Sequence, residues 1–387
     1  MRLNLFFLTL LFSFTFSKSN AQCPEGDVQL LSQADVDNFV STYPNCTNIS
    51  GILTFGEFNS GFNDISDISG LNNMTTVDGE LRIFGTQLTN LNGLNNLIEI
   101  GGLNILDNNQ LIALSELGNI SELNNGQLQI AFNYNLQSLE GLDNIQSISG
   151  RLYFGKNDSL YSFSNLSSLN SVGELVFIAG TNVTTLGGLE NLQYIGSRII
   201  IGDNQNLENI TSLNSVNYVG GNVYISENPQ LTSLEGIQNM VISTEGETIG
   251  LIFNDNPNLS TCNFPNICEY LSWNSTEYPR EISGNTGNCL DEQAVLAACG
   301  LGISDVENNT TNWNVAYQKN KGSFLIQSNG FQLAEIEVYD LTGKLIKSVQ
   351  NLNSNQEELR VFTPENVLII KVKSKEGKVL AKKVLMK

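Results

Sequence analysis

No histidine occurs in the 387 residues, whereas aspartate and glutamate together number 39 and cysteine six. The absence of histidine removes Ser-His-Asp and Cys-His nucleophiles and every imidazole metal site. The thiols are Cys23 and Cys46 ahead of the middle of the chain, then Cys262, Cys268, Cys289 and Cys299 after it. An even count at both ends of one block fits structural disulfides on caps rather than redox or metal chemistry. Cys23 is expected to pair with Cys46; the other four admit three pairings. No DxDxDG-type loop supports calcium, and no metal or cofactor is expected. The chemistry left to the chain is that of paired carboxylates.

Carboxylates act only where a fold holds them, and the middle of the chain shows which fold. From residue 80 onward it divides into segments of 23–25 residues, such as QLQIAFNYNLQSLEGLDNIQSISG (127–150) and RLYFGKNDSLYSFSNLSSLNSVGE (151–174). A looser copy from Ile52 to Gly79 carries extra residues in GEFNSGFND. A fixed period of this length belongs to a solenoid. Each unit opens with an alternating pair: Leu81/Ile83, Leu103/Ile105, Leu128/Ile130, Leu152/Phe154, Val176/Ile178, Ile199/Ile201, Val223/Ile225 and Leu251/Phe253. Period two predicts one strand per coil and therefore a parallel sheet. The rest of each unit places apolar residues at every third position, as in Leu136-Leu139-Leu142-Ile145-Ile148. On an α-helix such steps drift by about 60° each, so 3₁₀ turns or extended segments are expected. Between the two parts stand Asn108, Asn133, Asn157, Asn204, Asn228 and Asn256. Their amides should satisfy backbone groups at a buried corner, with Gly85 and Gly180 taking that place in two shorter units.

If these alternating pairs point inward, their neighbours point out. The central outward column is then Arg82, Asn104, Gln129, Tyr153, Phe177, Ile200, Tyr224 and Ile252. Of this column and the two beside it, only Glu80 is acidic, so the sheet face offers no carboxylate pair. The remaining candidates lie in loops, such as Asp64 and Asp67, and an enzyme is not expected. The column holds five successive large side chains, Tyr153, Phe177, Ile200, Tyr224 and Ile252, bordered by Arg151 and Arg198. These seven form the candidate ligand-binding face, with Tyr153, Phe177 and Tyr224 as anchors for a sugar ring or a protein. The same residues would also follow from β-propensity alone, or from a last domain folding over them.

The ends of the chain differ from its middle. Residues 1–21 carry an apolar run from Leu5 to Phe16 and the small-residue site Ser19-Asn20-Ala21, the pattern of a secretion signal. No later stretch is apolar enough to cross a membrane as a helix. Residues 22–51 fit an N-terminal disulfide cap: a helix with Ser32 as N-cap and Val36, Phe39 and Val40 on one face. A Cys23–Cys46 bridge there is worth roughly 3 kcal/mol. Solenoid repeats fill 52–261 and a cysteine-rich C-terminal cap fills 262–302. Residues 22–300 hold 5 basic against 30 acidic residues, a balance that repels nucleic acid, while 301–387 hold 12 against 9. Alternating runs over 303–387 suggest a small β-sandwich.

The segment from Leu31 to Phe39 (LSQADVDNF), followed by Tyr43 to Gly51 (YPNCTNISG), resembles the entry cap of receptor L domains. These are the leucine-rich solenoids of insulin-receptor-type ectodomains, here in a bacterial version. The stretch Cys262…Asn266-Ile267-Cys268-Glu269-Tyr270-Leu271, with Ile282-Ser283-Gly284-Asn285 and Cys289…Cys299, is similar to the closing cap of that version. The resemblance implies a mainly β fold, a right-handed parallel β-helix with a ligand-binding role and no catalytic residues. Asp340-Leu341-Thr342-Gly343-Lys344-Leu345, Gly377-Lys378-Val379 and Lys382-Lys383-Val384 are similar to the C-terminal sorting domain of type IX secretion. That implies export through the type IX machinery by residues 303–387 and attachment to the outer cell surface. The other reading of this region is an adhesive β-domain kept in the mature protein. Asp158-Ser159-Leu160 resembles the O-glycosylation sequence of bacteria with such export, Ser159 being placed on an exposed turn; a plain corner serine is the alternative. The expected function is that of an exported cell-surface binding or adhesion protein recognising an extracellular glycan or protein. The competing reading is a structural surface-coat component without a selective ligand.

Overall fold

The computed structural model describes residues 23–124, 126–242, 250–272, 279–299, 313–318, 321–340, 343–363 and 367–385. The expected signal, 1–21, lies outside the described residues. The chain divides into two compact units, 1–258 and 259–387. No helix among the described residues is long and apolar enough to cross a membrane.

In the first unit the alternating pairs form a parallel ladder. Leu53, Leu81, Leu103, Leu128, Leu152, Val176, Ile199, Val223 and Leu251 stand in register on successive coils. All of them are fully buried. Each carries aliphatic surface that its own coil cannot cover, so the next coil removes it from water. The structure corrects the expectation of one strand per coil. A second, two-residue strand recurs at Glu122–Leu123, Ser147–Ile148, Ser171–Val172, Tyr194–Ile195, Tyr218–Val219 and Val241–Ile242. These strands stack into a parallel ladder of their own. Two residues are too few to show an alternation, and in sequence they read as the tail of the every-third run. In Thr76–Phe84 and Glu99–Leu106 the two ladders share one longer strand.

The every-third runs take two forms in alternate coils. One is a 3₁₀ helix, at Ser69–Leu71, Ser115–Leu117, Ser164–Leu166 and Thr211–Leu213. The other is a turn on Gly93, Gly141, Gly188 or Gly236, with φ between 102° and 122°. A Cβ at Gly141 would collide with the Leu114 carbonyl just before the 3₁₀ helix of the preceding coil, and the other three glycines meet the equivalent carbonyl. The structural repeat is therefore a pair of coils.

The corner between strand and turn is closed by amides. Asn133 Nδ2 donates to the carbonyls of Ile105 and Ala131, both at 3.0 Å, and its Oδ1 accepts the Asn108 N–H at 2.9 Å. Asn157 Oδ1 in turn accepts the Asn133 N–H at 3.1 Å. The same pattern joins Asn204 to Asn228 and Asn228 to Asn256. Gly85 and Gly180 do not fill this slot, as the sequence had suggested. They occupy the preceding position, where φ is positive in every coil from Gly85 to Asp255, at 60° and 61° against 61° at Asp107 and 59° at Phe132. The slot itself holds Thr86 and Thr181, whose N–H and hydroxyl both donate to the Oδ1 of the next asparagine. A threonine has no amide to pass on, so the column runs as two blocks, 86–157 and 181–256.

The stack opens with a disulfide from Cys23 to Cys46 and the helix α1 (Gln33–Thr42). The Ser32 side chain accepts the Asp35 N–H, and Val36 and Phe39 face inward. In the second unit α2 (Pro265–Ser272) and α3 (Glu292–Ala298) are held by Cys262–Cys289 and Cys268–Cys299. The Arg280 side chain is buried there, donating to the Leu271 carbonyl at 2.7 Å and lying 5.8 Å from the Tyr270 ring centre and 3.4 Å from Glu292. Beyond it, three-stranded and four-stranded antiparallel sheets share a core of Phe324, Ile326, Ile336, Val338, Leu368 and Ile370.

Replacing Asn133 by alanine strips a buried corner of one acceptor and two donors, which should cost roughly 3–5 kcal/mol. Exposed Asn135, whose amide only donates to the Asn109 carbonyl, should cost less than about 1 kcal/mol on the same change. The urea midpoints of N133A and N135A check this contrast.

Candidate ligand-binding face

The first ladder holds the central outward column in register, from Gln29 and Thr54 through Arg82, Asn104 and Gln129 to Tyr153, Phe177, Ile200, Tyr224 and Ile252. The last five are all half-buried, and their exposed parts form one apolar ridge along the stack. Tyr153 and Phe177 stack with ring centres 4.2 Å apart and planes 2° from parallel. Their separation is close to the spacing between strands, so the planes lie across the solenoid axis and the ring edges face outward. Tyr153 also leans along its strand over Gly155, where a Cβ would sit 2.9 Å from the ring. Each ring thus gives one face to the other. A sugar that stacks needs an open ring face; an edge-on ridge suits the close packing of a protein surface.

A polar border runs beside the ridge. Glu80 accepts from Arg82 Nε at 2.7 Å and from Gln127 Nε2 at 3.2 Å. Arg151 bonds Gln127 and, at 2.8 Å, Gln129, so its charge meets amides rather than a carboxylate. Arg198 is exposed. The only other base between residues 23 and 258 is Lys156, in the strand Leu152–Asn157, where it pairs with Asp203. All four bases of an acidic solenoid therefore belong to strands or strand starts of one ladder.

At the N-terminal end of the face, the extra residues of the first coil lie between Gly56 and Asn63, whose amide donates to the Phe84 carbonyl of the next coil. This insertion carries Phe58 over the sheet, with its ring 5.8 Å from that of Phe84. A cavity of about 210 Å³ lies beneath, lined among others by Thr54, Arg82, Asp27 and Glu57. Phe84, Leu106 and Ala131 form a buried apolar strip against which Tyr153 packs. The strip connects the cavity with the ridge.

Other residues singled out in the sequence have structural work. Asp64 accepts the Gln33 N–H at 2.9 Å, and Asp67 accepts that of Ser69 at 2.8 Å; the Ser69 hydroxyl first, and this N–H second, hold the Asp67 carboxyl below its ordinary value. They anchor α1 and a turn, and face neither each other nor the ridge through these bonds. Ser159 follows the Asn157 corner and is half-buried, not exposed as expected; the exposed residue of that turn is Asp158. Among the described residues, no group of three or more Cys, Asp or Glu side chains is arranged to hold a metal ion. The structure also shows an outward column that sequence reading missed. On the second ladder, Tyr194 and Tyr218 stack at 5.2 Å and 5°, in register with Val241. The repeated Gln-Tyr-Ile, Asn-Tyr-Val and Met-Val-Ile endings carried that signal.

The family model described as receptor L domain matches residues 45–161 and again 144–243, together just over half of the chain. Residues 301–386 match a model described as a domain of unknown function (DUF8694). No curated protein matches the chain.

The Lys156–Asp203 pair gives a small acid dependence. Asp203 is held below its ordinary value chiefly by the hydrogen bond from Lys156. Its contribution is present above the unfolded carboxylate pKa near about 4 and is lost as pH falls through the lower folded value. With side chains 49% and 35% exposed, the pair is worth at most about 0.5 kcal/mol. Thermal unfolding of K156Q should match that of the parent below pH ~3 and fall short by no more than this above pH ~5.

Proposed function

The chain belongs to the receptor L domain family, and from that premise we propose that it is an extracellular binding protein whose first-ladder face docks a protein partner. The observation that carries the reading is the in-register ridge from Tyr153 to Ile252, with every base of the solenoid on a strand or strand start of the same ladder. Apolar side chains held outward over successive coils offer buried contact area, and Arg151 and Arg198 offer charge to acidic groups at its border. Tyr153, Phe177 and Tyr224 are the anchors. Three disulfides and a family of receptor type support an extracellular site.

The finer assignment concerns export. Residues 1–21 act as a secretion signal, and residues 303–387 act as a type IX sorting domain that leads the solenoid to the outer cell surface. The apolar run from Leu5 to Phe16 supports the first; the motif at Asp340–Leu345 and the basic character of 301–387 against an acidic body support the second. Deleting 303–387 should leave the disulfide-bonded solenoid inside the outer membrane; surface labelling of the deletion strain at the level of the parent refutes the assignment.

Pull-down from extracellular fractions and a glycan array, run with the full-length protein and with the Y153A/F177A/Y224A variant, test the face. One protein partner is expected, retained by the parent and lost by at least about tenfold in the variant. A selective glycan, a partner that binds a folded variant unchanged, or no selective ligand at all, as for a coat spacer, each overturns the reading.

A further inference from the structure

We propose that the cavity under the first-coil insertion is a socket for one lysine or arginine side chain of the partner polypeptide, a reading that rests on the docking face described above. The socket is built, not incidental. Asn63 ties the end of the insertion to the next coil, its amide donating to the Phe84 carbonyl at 2.8 Å, and the six residues between Gly56 and Asn63 arch over the sheet, with the hydroxyl of Ser60 returning to the Glu57 carbonyl at 2.8 Å. The arch holds Phe58 half out of water, opposite buried Phe84. The gap between these walls suits an alkyl chain, and both rings favour a cation near them.

Charge selects among alkyl chains. Glu57 and Asp27 line the cavity, with one Asp27 oxygen accepting the Ile52 N–H at 2.8 Å. Arg82 also lines it, but Glu80 meets that guanidinium at 2.7 Å. The balance inside the cavity is negative, within a solenoid that is acidic throughout. The buried strip through Leu106 and Ala131 joins the socket wall at Phe84 to Tyr153, so a polypeptide that continues along the ladder past Tyr153, three strand steps of about 4.8 Å, would place one side chain in the socket.

The probe is Nα-acetyl-lysine methylamide, titrated by ligand-observed NMR into the full-length protein beside the norleucine and glutamate analogues. The lysine compound should bind about tenfold more tightly than norleucine, as expected for an ion pair added to a shared alkyl contact. E57Q should weaken lysine about fivefold and leave norleucine unchanged, while F58A should weaken both; circular dichroism verifies that each variant folds. The Y153A/F177A/Y224A variant should bind the lysine probe as the parent does, which separates failure of the ridge from failure of the socket. Equal binding of lysine and norleucine, tighter binding of glutamate through Arg82, indifference to E57Q, or no saturable binding would each overturn the proposal.

Discussion

A strand that ends at a buried corner leaves backbone donors and acceptors where water cannot reach them, and here, except at Thr86 and Thr181, each corner is met by a side-chain amide. Asn108, Asn133 and Asn157 pass this service along one block, and Asn204, Asn228 and Asn256 along the other. The requirement fixes which coil follows which, at what height and in what register. Aliphatic burial then adds energy without direction, since a leucine interior alone would tolerate sliding. The backbone accepts a cost for this arrangement: Asp107, Phe132, Lys156, Asp203, Glu227 and Asp255 all hold positive φ just before the slot. Each such residue is disfavoured by about 1 kcal/mol. The corner hydrogen bonds have to exceed that.

The outer face inherits its order from the corner. Since coils repeat at strand spacing, Tyr153 and Phe177 are brought flat against one another and present edges instead of faces. The insertion in the first coil is accommodated because it follows the strand and is tied back to the next coil by Asn63, and so it adds a socket at the end of a face already built. Thr86 and Thr181 interrupt the amide column but leave the sheet continuous, as the Asn157–Thr181 pairing across the boundary shows.

Much of this was legible in the residues. The period, the inward pairs and the central outward column follow from alternation alone, and the in-register strands agree with them. Three features were not legible, for physical reasons. A two-residue strand has no periodicity, which hid both the second ladder and its Tyr194–Tyr218 stack. Glycine at a corner reads as a slot filler, and only the φ values show that Gly85 and Gly180 serve the preceding position while Thr86 and Thr181 serve the slot. Chain spacing does not determine disulfide partners, so Cys262–Cys289 and Cys268–Cys299 emerge from the folded cap. Ring orientation on the ridge and the cavity below Phe58 are likewise matters of packing.

The most direct measurement of the stacking claim is the distance between spin labels placed on the outward column. Since no free cysteine occurs among the described residues, single pairs can be introduced at 82 with 177, and at 82 with 252. Four and seven coil steps separate them, giving backbone separations of about 19 Å and about 34 Å at ~4.8 Å per step. Distances that grow in this proportion agree with coils piled in register. Equal or shrinking distances would mean that the strands do not stack in chain order, and the corner, the ridge and the socket would lose their common foundation.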